Sequence, residues 1–208
     1  FKTITKHRHA VIKHCAKAGI LWQGLRHDLS KYSPTEFLRG AHYYIGTRSP
    51  NEGEREDIGY SLAWIHHKGR NKHHFEYWTD YNHKQRKVMP VKMPRKYVVE
   101  MFCDRVAASK IYQGKNYKDT HPLEYFQRGN ARMRMHSATA DILEEWLTML
   151  AEKGEKETFA YIKNIKKVSL MQIKIISVDT TSCFFHKLTE SLDEKVAEWT
   201  ESNPNINI

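Results

Sequence analysis

The chain has 208 residues, 40% hydrophobic and 28% charged, a globular composition with room for one large domain or one domain and a small appendage. Mean hydropathy is -0.71, and the longest apolar run, residues 168–178, is interrupted by Lys174, so no segment approaches the ~18 apolar residues of a membrane span. The net charge of +10 divides into a body of +13 over residues 1–168 and a tail of -3, and a basic body suits phosphate-bearing partners such as nucleotides or nucleic acid.

In chain order, the periodicity predicts a helix over 5–18, with Val11, His14 and Ala18 on one stripe and Gly19 as its stop. A second helix over 20–31 would place Leu21, Leu25, Asp28 and Tyr32 on one face. Ser33-Pro34-Thr35-Glu36 reads as a helix start, with Ser33 as N-cap, Pro34 in the first turn and Glu36 closing a capping box. Residues 46–53 read as a loop, 54–67 as a helix ending near Gly69, and 73–81 as a short aromatic-rich helix. Pro94 opens a strong helix to about residue 112, and 136–153 and 156–165 read as two more. No alternating strand pattern precedes residue 168. Beyond it, 169–178 reads as a strand, 188–200 as an amphipathic helix, and 206–208 as the start of a second strand. The expected architecture is mainly α: a helical domain over 1–167 and a small acidic β-α-β module over 168–208.

Residues 1–18 carry five Lys or Arg and three His and contain no apolar stretch, so no secretory signal is expected there. The chain opens on Phe1 rather than Met, so native residues are expected to precede it. Cys15, Cys103 and Cys183 are too few and too scattered for a disulfide framework or a four-Cys zinc site. A reducing cytoplasm is the expected setting.

Histidine is the informative residue, with ten of thirteen in the first 83 positions. His27 and Asp28 are adjacent, and Asp28 falls on the apolar stripe of its expected helix, where a carboxylate is costly unless paired or bound to metal. Asp104 sits mid-stripe among Tyr97, Met101, Ala108 and Ile111, with a salt bridge to Arg26 or Arg105 as the alternative to metal. On the first helix His7 is the first candidate and His14 the second, while His9 points away. His66, His67, His73 and His74 straddle a Gly-containing turn, and two His pairs at this spacing have no evident packing role. Such ligands suit one or two divalent ions, Mn, Fe, Co, Ni or Zn.

The order His, His-Asp, His-His, His-His, Asp on a helical body resembles the HD superfamily of metal-dependent phosphohydrolases, and His27-Asp28-Leu29-Ser30-Lys31 is similar to the HD-x-x-K form of its binuclear members. The short interval from His7 to His27 and the segment Phe75-Glu76-Tyr77-Trp78 depart from the patterns of that superfamily. The strings HDLSKYSPTEF, AWIHHKGRNKHHFEYW, MPRKYVVEMFCDRVAASK and PLEYF carry a closer likeness, over about residues 2–165, to the family called domain of unknown function 5662, found in bacteria and their phages.

The superfamily resemblance implies an HD-like helical bundle, and a metal-dependent hydrolase that acts on a phosphate ester, a nucleotide or a related phosphorylated small molecule, through activated water. The expected metal ligands are His7, His27, Asp28, His67, His73 and Asp104, with His66 and His74 as alternates. Lys31 is expected to neutralise a phosphate oxygen or steady the water, and Arg70, Lys72 and Arg105 to bind the rest of the substrate. Glu76 is expected to transfer protons, while Glu36 is expected to act mainly as a cap. Trp64, Tyr77 and Trp78 are candidates for stacking a base, against a core role. Two other readings of the same residues are an oxygen-activating di-iron enzyme and a nucleic-acid-binding protein with a structural metal.

Overall fold

The computed structural model describes residues 1–165, and these are mainly α-helical. The chain divides into two units after Lys163. The expected β-α-β module lies outside the described residues.

Two helices form the centre of the first unit. Helix α1 (Lys2–Lys17) buries Val11, His14 and Cys15 on one stripe. It packs on α6 (Arg95–Gln113), whose run of Val98, Val99, Met101, Phe102, Cys103, Val106 and Ala107 is buried almost all round. The core continues through Phe126 of α7 (His121–Arg128) into Leu143, Trp146, Leu147, Leu150, Phe159 and Ile162 of the helical stretch 137–165. Phe102 sits edge-on to both Trp146 and Phe159, at ring separations of 6.2 and 5.5 Å. Each such buried side chain contributes about 1.5–3 kcal/mol, so this apolar block anchors α6 and fixes whatever its polar edge carries. Within 137–165 Gly154 has a left-handed backbone, φ +77°, at the point where the sequence pattern divides into two helices.

The second half-layer departs from the sequence reading in three places. Helix α2 (Leu21–Arg26) is one and a half turns long, not a helix over 20–31. It stops at His27, Asp28 takes a left-handed backbone (φ 54°, ψ 25°), and residues Leu29–Tyr32 form a 3-10 turn. Leu21 and Leu25 are exposed, so the apolar stripe on which Asp28 was placed does not exist; the residue is buried for another reason. The expected helix over 54–67 is two helices, α4 (Pro50–Ile58) and α5 (Leu62–Arg70), and the first begins inside the expected loop. Gly59, at φ +83°, ends α4 in a conformation that side chains with a Cβ resist. Ser61 then caps α5 by accepting from Trp64 N–H.

The expected helix over 73–81 is a 3-10 turn, Phe75–Tyr77, followed by a hairpin of β1 (Thr79–Asn82) and β2 (Lys87–Pro90) with Asp80 opposite Met89 and Tyr81 opposite Val88. Both strands are four residues long and mostly exposed, too short to show the alternation that marks a half-buried strand. Helix α3 (Pro34–His42) starts at Pro34 with Ser33 as its cap, as its sequence predicts, and α8 (Ala131–Arg134) is a single turn. Among the described residues no helix is long and apolar enough to cross a membrane.

Gly24 marks the tightest approach between α1 and α2. A Cβ there would lie 2.6 Å from Cys15 Cβ and 3.4 Å from the Ile12 backbone. Gly24→Ala is expected to force the two helices apart at a cost of about 1–3 kcal/mol. Thermal denaturation checks this; an unchanged melting temperature would show that the contact is not a constraint.

Candidate metal centre

The centre is built around the turn at His27 and Asp28. A left-handed aspartate costs roughly 1–2 kcal/mol, and such strain concentrates at functional sites. Here it reverses the chain at the end of α2 so that both side chains turn inward, where each residue is 1% exposed. Asp28 Oδ2 lies 2.7 Å from Lys31 Nζ and 3.3 Å from His27 Nε2. Asp28 Oδ1 lies 3.3 Å from His67 Nε2 and 3.5 Å from His73 Nε2.

The packing of α1 on α6 brings the remaining groups in. His7 Nε2 of α1 is 2.8 Å from Asp104 Oδ1 of α6, and that carboxylate lies 3.5 Å from His27 Nε2. The C-terminal turn of α5 and the loop after it supply His67, His73 and His74, with His67 Nε2 and His74 Nε2 2.8 Å apart. Donor atoms within 4.8 Å of one another fall into the sets His7, His27, Asp28 and Asp28, His67, His73, His74, which share Asp28. A third set is His27, His73 and Glu100.

Buried donors here have no hydrogen-bond partner. His27 Nε2, Asp28 Oδ1 and His73 Nε2 are fully enclosed and lie near opposite charges, but none makes a hydrogen bond of good geometry. A buried polar atom left unsatisfied costs about 1–3 kcal/mol, and three such atoms face one another here. The opposite ends of the same groups are held: His27 Nδ1 donates to Glu100 Oε1 at 2.9 Å, and His73 Nδ1 lies 3.2 Å from the same oxygen. His67 Nδ1 and His66 Nδ1 donate to the two oxygens of Glu36, at 2.8 and 2.6 Å. An imidazole held at Nδ1 by a carboxylate presents Nε2 to a metal. These residues fit a divalent cation.

The electrostatics agree. Four carboxylates gather here, Asp28, Glu36, Glu100 and Asp104, with the Lys31 ammonium on Asp28 and the Arg105 guanidinium near Asp104. Burial alone raises the pKa of Asp28, but His27 and Lys31 outweigh it and hold the carboxyl well below the usual range. Asp104 is lowered in the same way, burial being overcome by the adjacent imidazoles of His27 and His7. Glu100, raised by burial, is brought down to about 2 by His27 and His73. The converse appears at His27: burial lowers its pKa, but Asp28, Asp104 and Glu100 raise it well above the ordinary value. His74 is held neutral by burial and by His73 and His67. The negative charge that raises the His27 pKa also favours a cation beside the imidazole.

Other residues singled out in the sequence lie elsewhere. His14 is in the core, stacked on Phe159 with ring centroids 5.4 Å apart, and takes no part in the cluster. His66 stands one carboxylate further out than His67. The capping box is half present: Ser33 Oγ accepts from Glu36 N–H, but the Glu36 carboxylate turns to the histidines. Asp104 pairs with histidine, not with Arg26 or Arg105. Arg70 is exposed and bonds back to the His66 carbonyl, and the Lys72 ammonium lies over the Tyr77 ring. Glu76 has a buried Oε2, and Arg105, stacked over Phe126, a buried Nε, neither with a hydrogen-bond partner. Trp64 packs against the His74 ring, and Trp78 Nε1 donates to the Lys72 carbonyl. Glu100 was not singled out in the sequence. Its signal was available: a carboxylate one helical turn before Asp104 in an otherwise apolar run.

A family model described as a family of unknown function (DUF5662) matches residues 1–149, and the chain belongs to that family. No curated protein and no solved structure matches it.

Burial, followed by the charge of Lys110, lowers the His14 pKa from 6.5 to about 4. The folded chain therefore resists a proton that the unfolded chain accepts, so stability is full above pH 6.5 and falls as pH drops toward 4. The loss is on the order of 3 kcal/mol. His14→Leu is expected to remove this part of the acid destabilisation between pH 7 and 5, measured by denaturant titration at each pH; parallel pH profiles for the two proteins would refute the assignment.

Proposed function

We propose that this chain is a divalent-metal-dependent hydrolase of phosphate esters, acting on a nucleotide or a related phosphorylated small molecule. The observation that carries the reading is the convergence of unpaired buried donors, His27 Nε2, Asp28 Oδ1 and His73 Nε2, on a carboxylate that two ligand sets share. His7, His27, Asp28 and Asp104 would hold one ion, and Asp28, His67, His73 and His74 a second. Bound divalent ions supply water of lowered pKa and positive charge for a phosphoryl oxygen.

The chain's own residues supply the rest. Lys31 is one-third exposed and 2.7 Å from Asp28 Oδ2, so its ammonium stands between the buried carboxylate and solvent. Asp28 and Asp104 raise its pKa against the effect of burial, which keeps it charged and able to neutralise a substrate oxygen. Arg105, next in sequence to Asp104, and Glu76, two residues after His74, offer one donor and one acceptor beside the ligands for the remainder of the substrate. The reaction class comes from the resemblance to HD phosphohydrolases, which is an analogy of pattern.

A separate observation favours nucleic acid as a partner. Helix α1 contains no acidic residue, and Lys2, Lys6, His9 and Lys13 line a groove of 560 Å³ together with Phe1, Ala10 and Ile111. Such a surface attracts the phosphate backbone. Polynucleotide binding that weakens steeply with salt and survives chelation would support that reading over a phosphohydrolase.

Asp28→Ala is expected to abolish metal binding and hydrolysis together, since both ligand sets lose their shared member. Lys31→Ala is expected to retain metal and lose ~10²-fold or more in turnover, the scale of one lost transition-state stabiliser. Metal analysis of protein purified without chelators, followed by phosphomonoesterase and phosphodiesterase assays with Mn, Co, Ni and Fe, checks both. Oxygen consumption by the iron-loaded protein, with no phosphate released from any ester, would replace hydrolysis by oxygen activation.

A further inference from the structure

The two proposed ligand sets share more than Asp28. His27 belongs to one and His73 to the other, and the Nδ1 atoms of both reach a single oxygen, Glu100 Oε1, at 2.9 and 3.2 Å. Their rings are 4.3 Å apart, tilted by 37°. The other carboxylate oxygen, Oε2, accepts from Gln23 Nε2, which opposes rotation of the group. Glu100 is 5% exposed and sits on α6 among buried apolar neighbours. Glu36 differs: it holds His67 and His66, and only His67 belongs to a ligand set.

We infer that Glu100 is a positioning residue common to both metal sites, fixing one histidine ligand of each by the same carboxylate oxygen, whereas Glu36 serves one site alone. The inference rests on the metal-binding part of the function proposed above and is independent of the reaction. The physical basis is tautomer and orientation. An Nδ1–H held on Glu100 leaves Nε2 as the outward donor, and the rigid carboxylate sets the direction in which each ring points. With the Nδ1 atoms of His27 and His73 both directed at its Oε1, Glu100 acts on the rings rather than on an ion held at their Nε2 atoms.

The test is calorimetric titration of the apo chain with Mn²⁺ alone, and with Co²⁺ followed by its visible absorption, for wild type, Glu100→Ala, Glu100→Gln and Glu36→Ala. Wild type is expected to bind two ions. Glu100→Ala is expected to weaken both steps by ~10–100-fold, the usual cost of losing an outer-shell partner, with altered Co²⁺ bands for both ions. Glu100→Gln, which keeps the shape and a neutral acceptor, should weaken both steps less and guards against misfolding of the alanine variant. Glu36→Ala should weaken one step only. A loss confined to one step in both Glu100 variants, or no loss, overturns the shared role while leaving the metal centre standing. A single wild-type binding step overturns it as well. No binding at all removes the metal reading and this inference together.

Discussion

The Asp28 carboxylate is the constraint on which the site depends. It is buried in a left-handed turn, a conformation that carries backbone strain, and burial of a charge there would be prohibitive without compensation. His27, Lys31, His67 and His73 provide it from four directions. The turn holds because its neighbours are fixed by packing that has nothing to do with the site. Helix α6 is locked by Phe102, Trp146 and Phe159, and Gly24 lets α2 lie against Cys15 of α1.

The polar groups form layers of decreasing burial and different duty. Innermost are metal-ligand atoms with no hydrogen-bond partner, His27 Nε2, Asp28 Oδ1 and His73 Nε2. Around them Glu100 and Glu36 hold the Nδ1 atoms and so direct the rings. Outermost is Lys31, partly exposed, where an incoming anion would meet it. A buried network is stable when all its members are satisfied and costly when some are not. Among the described residues three of the unsatisfied atoms face one another at this centre, an arrangement that a cation could satisfy.

Much of this was legible in the sequence because metal ligands must be particular residue types. The density of histidine in the first 83 residues, the His27-Asp28 pair and the two His pairs at 66–74 named most of the cluster. Asp104 was legible because a carboxylate amid apolar neighbours on a strong helix needs a partner. Asp28 is buried for a reason the sequence pattern does not carry: the apolar stripe expected beside it is exposed at Leu21 and Leu25, and its burial accompanies the left-handed turn. Local spacing makes Glu36 a cap, but two histidines outcompete one backbone N–H for its carboxylate. His14 looked like a ligand because it shares a stripe with Val11, and that same stripe is what buries it against Phe159 instead.

The sequence by itself determined the helical class, the start of α3 at Ser33 and Pro34, the extent of α6 after Pro94 and the residue types able to bind a metal, because these follow from local periodicity, capping and donor chemistry. Tertiary structure decided which histidines face inward, that Glu100 rather than a nearer residue holds two of them, and that the chain reverses at Asp28. Those outcomes depend on groups 73 positions apart meeting across packed helices, and no local pattern records which of several competing partners a buried side chain will reach.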